Sequence, residues 1–247
     1  MITCEVTSLD QKPHLEDQLG RLSQEAWPEF LRHSSINNWD SLFSIFAGFQ
    51  VILCDADDTV ISVGHTVPFV WNGTLEDLPS GIDEVIERGL RCYNNQETPT
   101  TLSALAAIVS RNYQKQGLSP LLLRAMKSLA AGHGLGAMIV PVRPTHKSLY
   151  PLNPMDRYAL WKRSDGSPFD PWLRIHKQIG AEFLQIAPKA LTVTGTVADW
   201  EKWTGMSFPE SGMYVVRGAL QPVIIDCEHN TGYYEDPNVW MRHKIDD

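Results

Sequence analysis

Apolar positions in this chain change period several times, and each change predicts an element. Leu15, Leu19, Leu22, Ala26 and Phe30 recur at helical spacing, so 13–30 reads as an amphipathic helix. Residues 39–47 add a second helix or extend the first. The run Phe49-Gln50-Val51-Ile52-Leu53-Cys54 reads as a strand. The acidic turn Asp55-Ala56-Asp57-Asp58 then joins it to a second strand over 60–70, as a hairpin. A short helix is expected over 81–90 and a polar loop over 94–100. Thr101 to Val109 is compact and apolar, as a strand buried on both faces should be.

Residues 121–131 carry a strong helical pattern, with Ser119 in the N-cap position and Pro120 at the first helical position. Ala137 to Val142 reads as another strand. Residues 143–168 hold four prolines and few periodic apolar positions, so this stretch is expected to be a long excursion. Asp170-Pro171 opens a short helix to Ile179, stopped by Gly180. The remainder is β-rich over 182–186, 214–216 and 222–225, followed by a tail dense in aromatic residues. No internal repeat or low-complexity linker divides the chain, so a single domain over 1–247 is the expectation.

Composition narrows the classes. The 247 residues are 43% hydrophobic and 20% charged, with a formal net charge of -8. That describes a globular domain able to bury a sizeable core, and it lacks the basic face of a nucleic-acid binder. The four cysteines, Cys4, Cys54, Cys92 and Cys227, form no CxxC pair and read as reduced structural thiols. The first nineteen residues have no apolar core of a signal peptide, and no window reaches the length needed to span a bilayer. A cytoplasmic protein without nucleic-acid or membrane partners is therefore expected.

The chemistry concentrates in Gln114-Lys115-Gln116-Gly117-Leu118-Ser119-Pro120, between the buried strand and the strong helix. A loop ending at a helix N-terminus offers unpaired N–H groups and the positive end of the helix dipole. Such a place binds phosphate. Ser119 is small enough to let a phosphate approach and brings a hydroxyl donor.

The order helix, hairpin, strand, phosphate-type loop, helix, strand, helix, strands, with Gln114-x-x-Gly117-x-Ser119 just after the strand at 101–109, resembles the GNAT family of N-acetyltransferases, which sets its pyrophosphate loop after its fourth strand. Its pyrophosphate loop has the pattern Gln/Arg-x-x-Gly-x-Gly/Ala. Val109-Ser110-Arg111-Asn112-Tyr113 resembles the family's approach to that loop. Trp172-Leu173-Arg174-Ile175-His176-Lys177-Gln178-Ile179-Gly180-Ala181 resembles its late helix and stop, with His176 where the family carries a tyrosine acid. The family's asparagine near the start of that helix has no counterpart, since Phe169 and Asp170 stand there.

The resemblance implies an α/β (α+β) fold, with a mixed, mostly antiparallel central sheet flanked by helices. Insertions near 71–99 and 143–170 would enlarge it. It implies acyl transfer from acetyl-CoA, or another acyl-CoA, to an amine. Gln114, Lys115, Gln116, Gly117, Leu118 and Ser119 would hold the pyrophosphate. Ile108 and Val109 would pair with the pantetheine arm and help polarise the thioester carbonyl. His176 would return a proton to the departing thiolate, because an imidazole titrates near neutrality.

Arg143, Tyr150, Arg157, Tyr158 and Trp161, with Asp165, would line the acceptor pocket from the excursion, which reads equally well as a proline-stiffened surface loop. The general base is open: the strand before the loop offers only Ser103 as a polar side chain, and Asp226, Glu228 and Glu235 are not distinguished. The aromatic tail either closes the pocket or covers the sheet or an oligomer contact, which leaves a homodimer open. A small-molecule amine is the expected acceptor rather than a protein.

Other motifs fail on spacing. Gly132-x-Gly134-x-x-Ala137 follows a helix and precedes a strand, the reverse of a dinucleotide site. Asp55-x-Asp57-Asp58 lacks the later ligands of a calcium loop, and Cys227-x-His229 lacks zinc spacing. No metal is expected. Two other classes compete with an enzyme: a non-catalytic acyl-CoA-binding or sensing module, and a structural protein in which Gly117 merely permits a turn.

Overall fold

The computed structural model describes residues 4–245. The chain runs through β1 (Glu5–Ser8), α1 (Glu16–Ala26), a short α2 (Ser41–Ser44), β2 (Val51–Cys54), β3 (Val60–Phe69), α3 (Ile82–Asn94), β4 (Thr101–Val109), α4 (Leu118–Gly132) and β5 (Ala137–Val142). It continues with α5 (Met155–Tyr158), α6 (Pro171–Gln178), β6 (Glu182–Gly195), α7 (Val197–Thr204), β7 (Gly212–Tyr214), β8 (Val223–Asp226) and β9 (Thr231–Lys244). The nine strands of the described residues make one sheet in the order β1-β2-β3-β4-β5-β9-β8-β7, with β6 also paired to β9. Among the described residues only β4 and β5 run parallel; the other pairs are antiparallel. This is the expected mixed, mostly antiparallel sheet flanked by helices.

Alternation within the strands builds two apolar layers, one on each face. On one face Val51, Leu53, Leu102 and Ala104 meet Leu122, Leu123 and Met126 of α4, and Leu173 of α6 joins them. On the other, Ile52, Cys54 and Val63 meet Leu19 and Leu22 of α1, while Val67 and Phe69 meet Val85 and Ile86 of α3. No helix among the described residues is long and apolar enough to cross a membrane.

Several expectations change. The helix expected over 13–30 is a 3-10 turn, then α1, then a second 3-10 turn at Glu29–His33; Pro28 denies the ladder an N–H and interrupts it. The aromatic tail is a fourteen-residue strand, β9, paired with both β5 and β6. Strand β6 likewise runs well past 186, with a register shift between Ala187 and Leu191 where Pro188 sits. Helix α7 was not expected; Thr196 and Asp199 form its capping box, and Gly205 in the left-handed region ends it.

Candidate active site

Strands β4 and β5 keep company for only three pairs, Thr101 with Ala137, Leu102 with Met138 and Ser103 with Ile139. Beyond them β4 stays on β3 and β5 stays on β9, so the two free edges diverge and open a cleft. Ala104 to Ala107 and Val109 line one wall, and Val140, Pro141 and Val142 line the other. Pro141 has no N–H, which suits a strand position without a neighbour on that side. The cleft encloses about 650 Å³.

The mouth of this cleft is the loop 114–119, whose Gln114, Lys115, Gly117, Leu118 and Ser119 all line it. Lys115 and Gly117 are both left-handed, at φ 62° and 77°. Left-handed residues set into a tight loop turn backbone N–H groups toward a common point, where an anion fits. Gly117 takes this conformation without steric cost. Among the described residues, no protein acceptor meets the backbone N–H groups of 115 to 119. Helix α4 starts at Leu118 with Gly117 as its N-cap, so Ser119 is not the cap and Pro120 is the third helical residue. The left-handed glycine brings the chain into the helix earlier, and proline is tolerated because first-turn amides have no partner in any case.

In β4 one residue is supernumerary. His65 faces Ala106 and Thr66 faces Ala104, leaving Leu105 as a bulge. The bulge shifts the alternation, so that Leu105 and Ala106 both open onto a second cavity, of about 480 Å³, on the α1–α3 face. Trp27, Leu31, Ile36, Trp39 and Phe43 wall this pocket; Ser23 and Gln24 add polar groups and no Asp or Glu lines it. Ile82 and Leu191 belong to both cavities. They meet because α3 starts at Gly81, where a Cβ would stand 2.7 Å from the Ala190 carbonyl oxygen. The cleft and the pocket thus join at the bulge.

Comparison with known proteins gives this geometry a family. No family profile matches the chain. Arginine N-acetyltransferase avaD of Aspergillus versicolor is 31% identical over 250 residues, covering 89% of this chain and 85% of that protein. The chain belongs to the GNAT family of acyltransferases. Two solved structures share the fold across nearly their whole lengths. The loading GNATL domain of CurA from Lyngbya majuscula has a TM-score of 0.66 at 17% identity, covering 98% of each chain. The GphF GNAT-like decarboxylase in complex with isobutyryl-CoA has a TM-score of 0.64 at 14% identity, covering 98% of this chain and 100% of that one.

Family membership makes acyl-CoA the group whose fit matters, and the cleft meets it with orphan amides at 115 to 119 and an unpaired β4 edge from Ala104 onward. Val109 lines the cleft. Ile108 does not: its side chain packs against α1, and its carbonyl accepts from Ser62 Oγ at 2.6 Å. Strand β4 parts from β5 after Ser103 and bulges against β3 at Leu105, both earlier in the strand than the expected 108–109.

His176, expected beside the thioester sulfur, is fully buried and does not line the cleft. Helical spacing is the reason. Trp172 and Ile175 face the cleft, whereas Leu173 and His176 share the core face. There His176 Nδ1 meets His243 Nε2 at 2.9 Å, and the outer nitrogen of each ring has no partner. Burial, with His243 adding to it, pushes the His176 pKa well below the usual imidazole range.

The excursion is also placed differently. Tyr150, Tyr158, Trp161 and Phe169 interlock at centroid distances of 5.0 to 6.2 Å and pack against the core rather than the pocket, and Arg157 is exposed. Buried Asp170 ties this cap down. Its carboxylate accepts from Tyr158 Oη and from the N–H groups of Thr145, His146, Trp172 and Leu173. Asp165 is taken up with Ser167.

Arg143 alone of the five expected pocket residues lines the cleft. It makes a two-pronged bond to buried Asp236, at 2.9 and 3.0 Å, and donates to the Gly218 carbonyl. Burial opposes its charge, but Asp236 and Tyr234 outweigh that and raise its pKa. The candidate bases lie elsewhere. Asp226 pairs with His229 and Glu235 with Lys189, both away from the cavities, and Ser103 Oγ is buried without a partner.

Sequence reasoning missed Ser23, Trp27, Trp39, Phe43 and His65. The readable signal was a set of polar residues, Ser62, His65 and Thr66, inside a strand buried along its whole length.

Proposed function

We propose that this acyltransferase moves an acetyl group from acetyl-CoA to the amine of a small molecule. The observation that carries the reading is the junction at the Leu105 bulge, where a cleft with an anion-binding mouth opens into an aromatic pocket. The loop amides and Lys115 hold the pyrophosphate. The β4 edge pairs with the pantetheine arm, and the bulge peptide supports the thioester carbonyl as its oxygen gains charge. Bound there, acyl-CoA supplies an activated acyl carbon. With His176 turned into the core, a proton for the leaving sulfur comes from cleft water or from the hydroxyls of Tyr113 and Thr145, which line the cleft.

The acceptor occupies the pocket of Trp27, Trp39 and Phe43. Arginine is the first acceptor to test, given the name of the relative. A guanidinium would be held there on aromatic faces, since no carboxylate lines the walls. Thiol release from acetyl-CoA in the presence of arginine, agmatine and a panel of aryl- and alkylamines checks the reading. Amine-dependent release with a matching acetylated product is expected. Binding of acetyl-CoA with no release against any amine would point instead to a sensing module.

A further inference from the structure

Behind the acceptor pocket stand three side chains in a hydrogen-bonded line. Gln50 and His65 are fully buried. The Gln50 amide nitrogen donates to the carbonyls of Phe46 and Thr66, at 2.9 and 3.1 Å. Its oxygen is therefore what meets His65 Nδ1, at 2.9 Å. This fixes the ring with its hydrogen on Nδ1 and a lone pair on Nε2. Ser23 Oγ lies 3.2 Å from Nε2, so the hydroxyl donates to the ring and keeps its own lone pairs for the pocket that Ser23 lines. Trp39 and Phe43 stand edge-on to the imidazole, at 5.5 and 5.7 Å between centroids, and hold it in place.

The line ends where the reaction would occur. His65 and Ala106 are partners across β3 and β4, and Leu105 and Ala106 line the same cavity as Ser23. We propose that Ser23, oriented by His65 and Gln50, takes the proton that the acceptor amine loses as it is acylated; this rests on the N-acyltransferase reading above. The amine nitrogen bonds to the acyl carbon while the carbon–sulfur bond breaks. The amine proton passes to Ser23 Oγ as the serine's own proton moves to His65 Nε2. His65 returns a proton through Ser23 to solvent, and the sulfur takes one from solvent. Amine and thioester thus become amide and thiol with no net change in protons.

The surroundings suit that task. From α1 the ring meets Ser23, from the segment before β2 it meets Gln50, from α2 Phe43 and across β4 Ala106. None of these is charged. The charged or titratable residues on the pocket wall are Arg32 and His33, both engaged by Glu29, and His33 also stacks on Trp203. Burial lowers the His65 pKa to about 4. The ring is therefore neutral at ordinary pH, with its Nε2 lone pair directed at Ser23, and holds a proton only transiently. The amine nitrogen becomes acidic enough to give up its proton as its lone pair enters the new bond, and a weak base suffices at that moment.

The test compares wild type, Ser23→Ala, Ser23→Thr and His65→Gln with acetyl-CoA and L-arginine, or the best amine of the panel. Ser23 is the catalytic residue and His65 a positioning residue acting through it. Ser23→Ala and His65→Gln should lower kcat about a hundredfold at pH 7. Their KM for acetyl-CoA should be unchanged, and the deficit should shrink toward high pH, where hydroxide takes the proton. Ser23→Thr should restore most of kcat. In the resting wild type, imidazole nitrogen NMR should show His65 with hydrogen on Nδ1 and neutral at pH 5. If the wild type binds acetyl-CoA yet acylates no amine, the functional reading and the relay fall together. If it acylates an amine while both variants keep its kcat and pH profile, the relay alone falls. A His65 protonated on Nε2 overturns it as well.

Discussion

The chain buries histidines on both faces of its sheet, and only one face connects them to a cavity. On the α1–α3 face, His65 has both nitrogens engaged and reaches the pocket through Ser23. On the α4–α6 face, His176 and His243 meet each other, each with one nitrogen unpartnered, and Trp172 stands edge-on to His176. The two regions are alike in burial and in the direction of their pKa shifts. They differ in what lies beyond the ring. A buried polar group gains a chemical role from a path to the substrate, whereas burial alone makes it a cost to stability.

Acid should strike both regions alike, with the largest effect. In the unfolded chain an imidazole binds its proton near pH 6.5, whereas burial delays this to about 4 for His65 and for His243. Stability is therefore whole above pH 6.5 and falls as pH drops from there toward 4. His65 alone accounts for roughly 3 kcal/mol of that loss. Denaturant melts at pH 7, 5.5 and 4.5 measure it. A flat stability across that range would mean that the imidazoles are not held neutral.

Single substitutions should then separate the regions. His65→Gln is expected to lose about a hundredfold in turnover. His176→Gln should leave turnover within about twofold and act on stability instead, as core changes do. The reverse pattern would restore His176 to the reaction and remove His65 from it.

A smaller effect is expected at the mouth of the cleft. Gly117→Ala forces a Cβ into the left-handed region and should cost about 1 kcal/mol. The open space around Gly117 means that this is a backbone effect and not a clash. Acetyl-CoA affinity should weaken with it, while the pH profile of the bound enzyme stays as it was. A changed profile would argue that the loop and the relay are not separable.

The sequence made the strand-loop-helix unit legible because its signals are local: an apolar run, a glycine in a polar loop, then helical periodicity. The bounds of β5 and the start of α6 at Asp170-Pro171 were legible for the same reason. Strand β9 was not. Tyr234, Asp236 and Asn238 look like loop residues until Arg143, nearly a hundred positions earlier, arrives to pair with Asp236. The excursion misled in the opposite way, since Tyr150, Tyr158 and Trp161 resemble a binding site but pack against the core, and of its expected pocket residues Arg143 alone reaches the cleft. His176 matched a family position in sequence, yet the helix phase turns it away from the cleft. His65 carried no motif, and its role depends on Gln50 and Ser23 coming from two other elements.

That the splayed edges of β4 and β5 and the 114–119 amides form an acyl-CoA site is what every step of the proposed reaction rests on. A thermal-shift titration with acetyl-CoA tests it most directly. Stabilisation should approach about 2.7 kcal/mol at a hundred times the dissociation constant, and Gly117→Ala should need more ligand to reach it. No shift at millimolar acetyl-CoA, in a protein that melts cooperatively, would contradict the account.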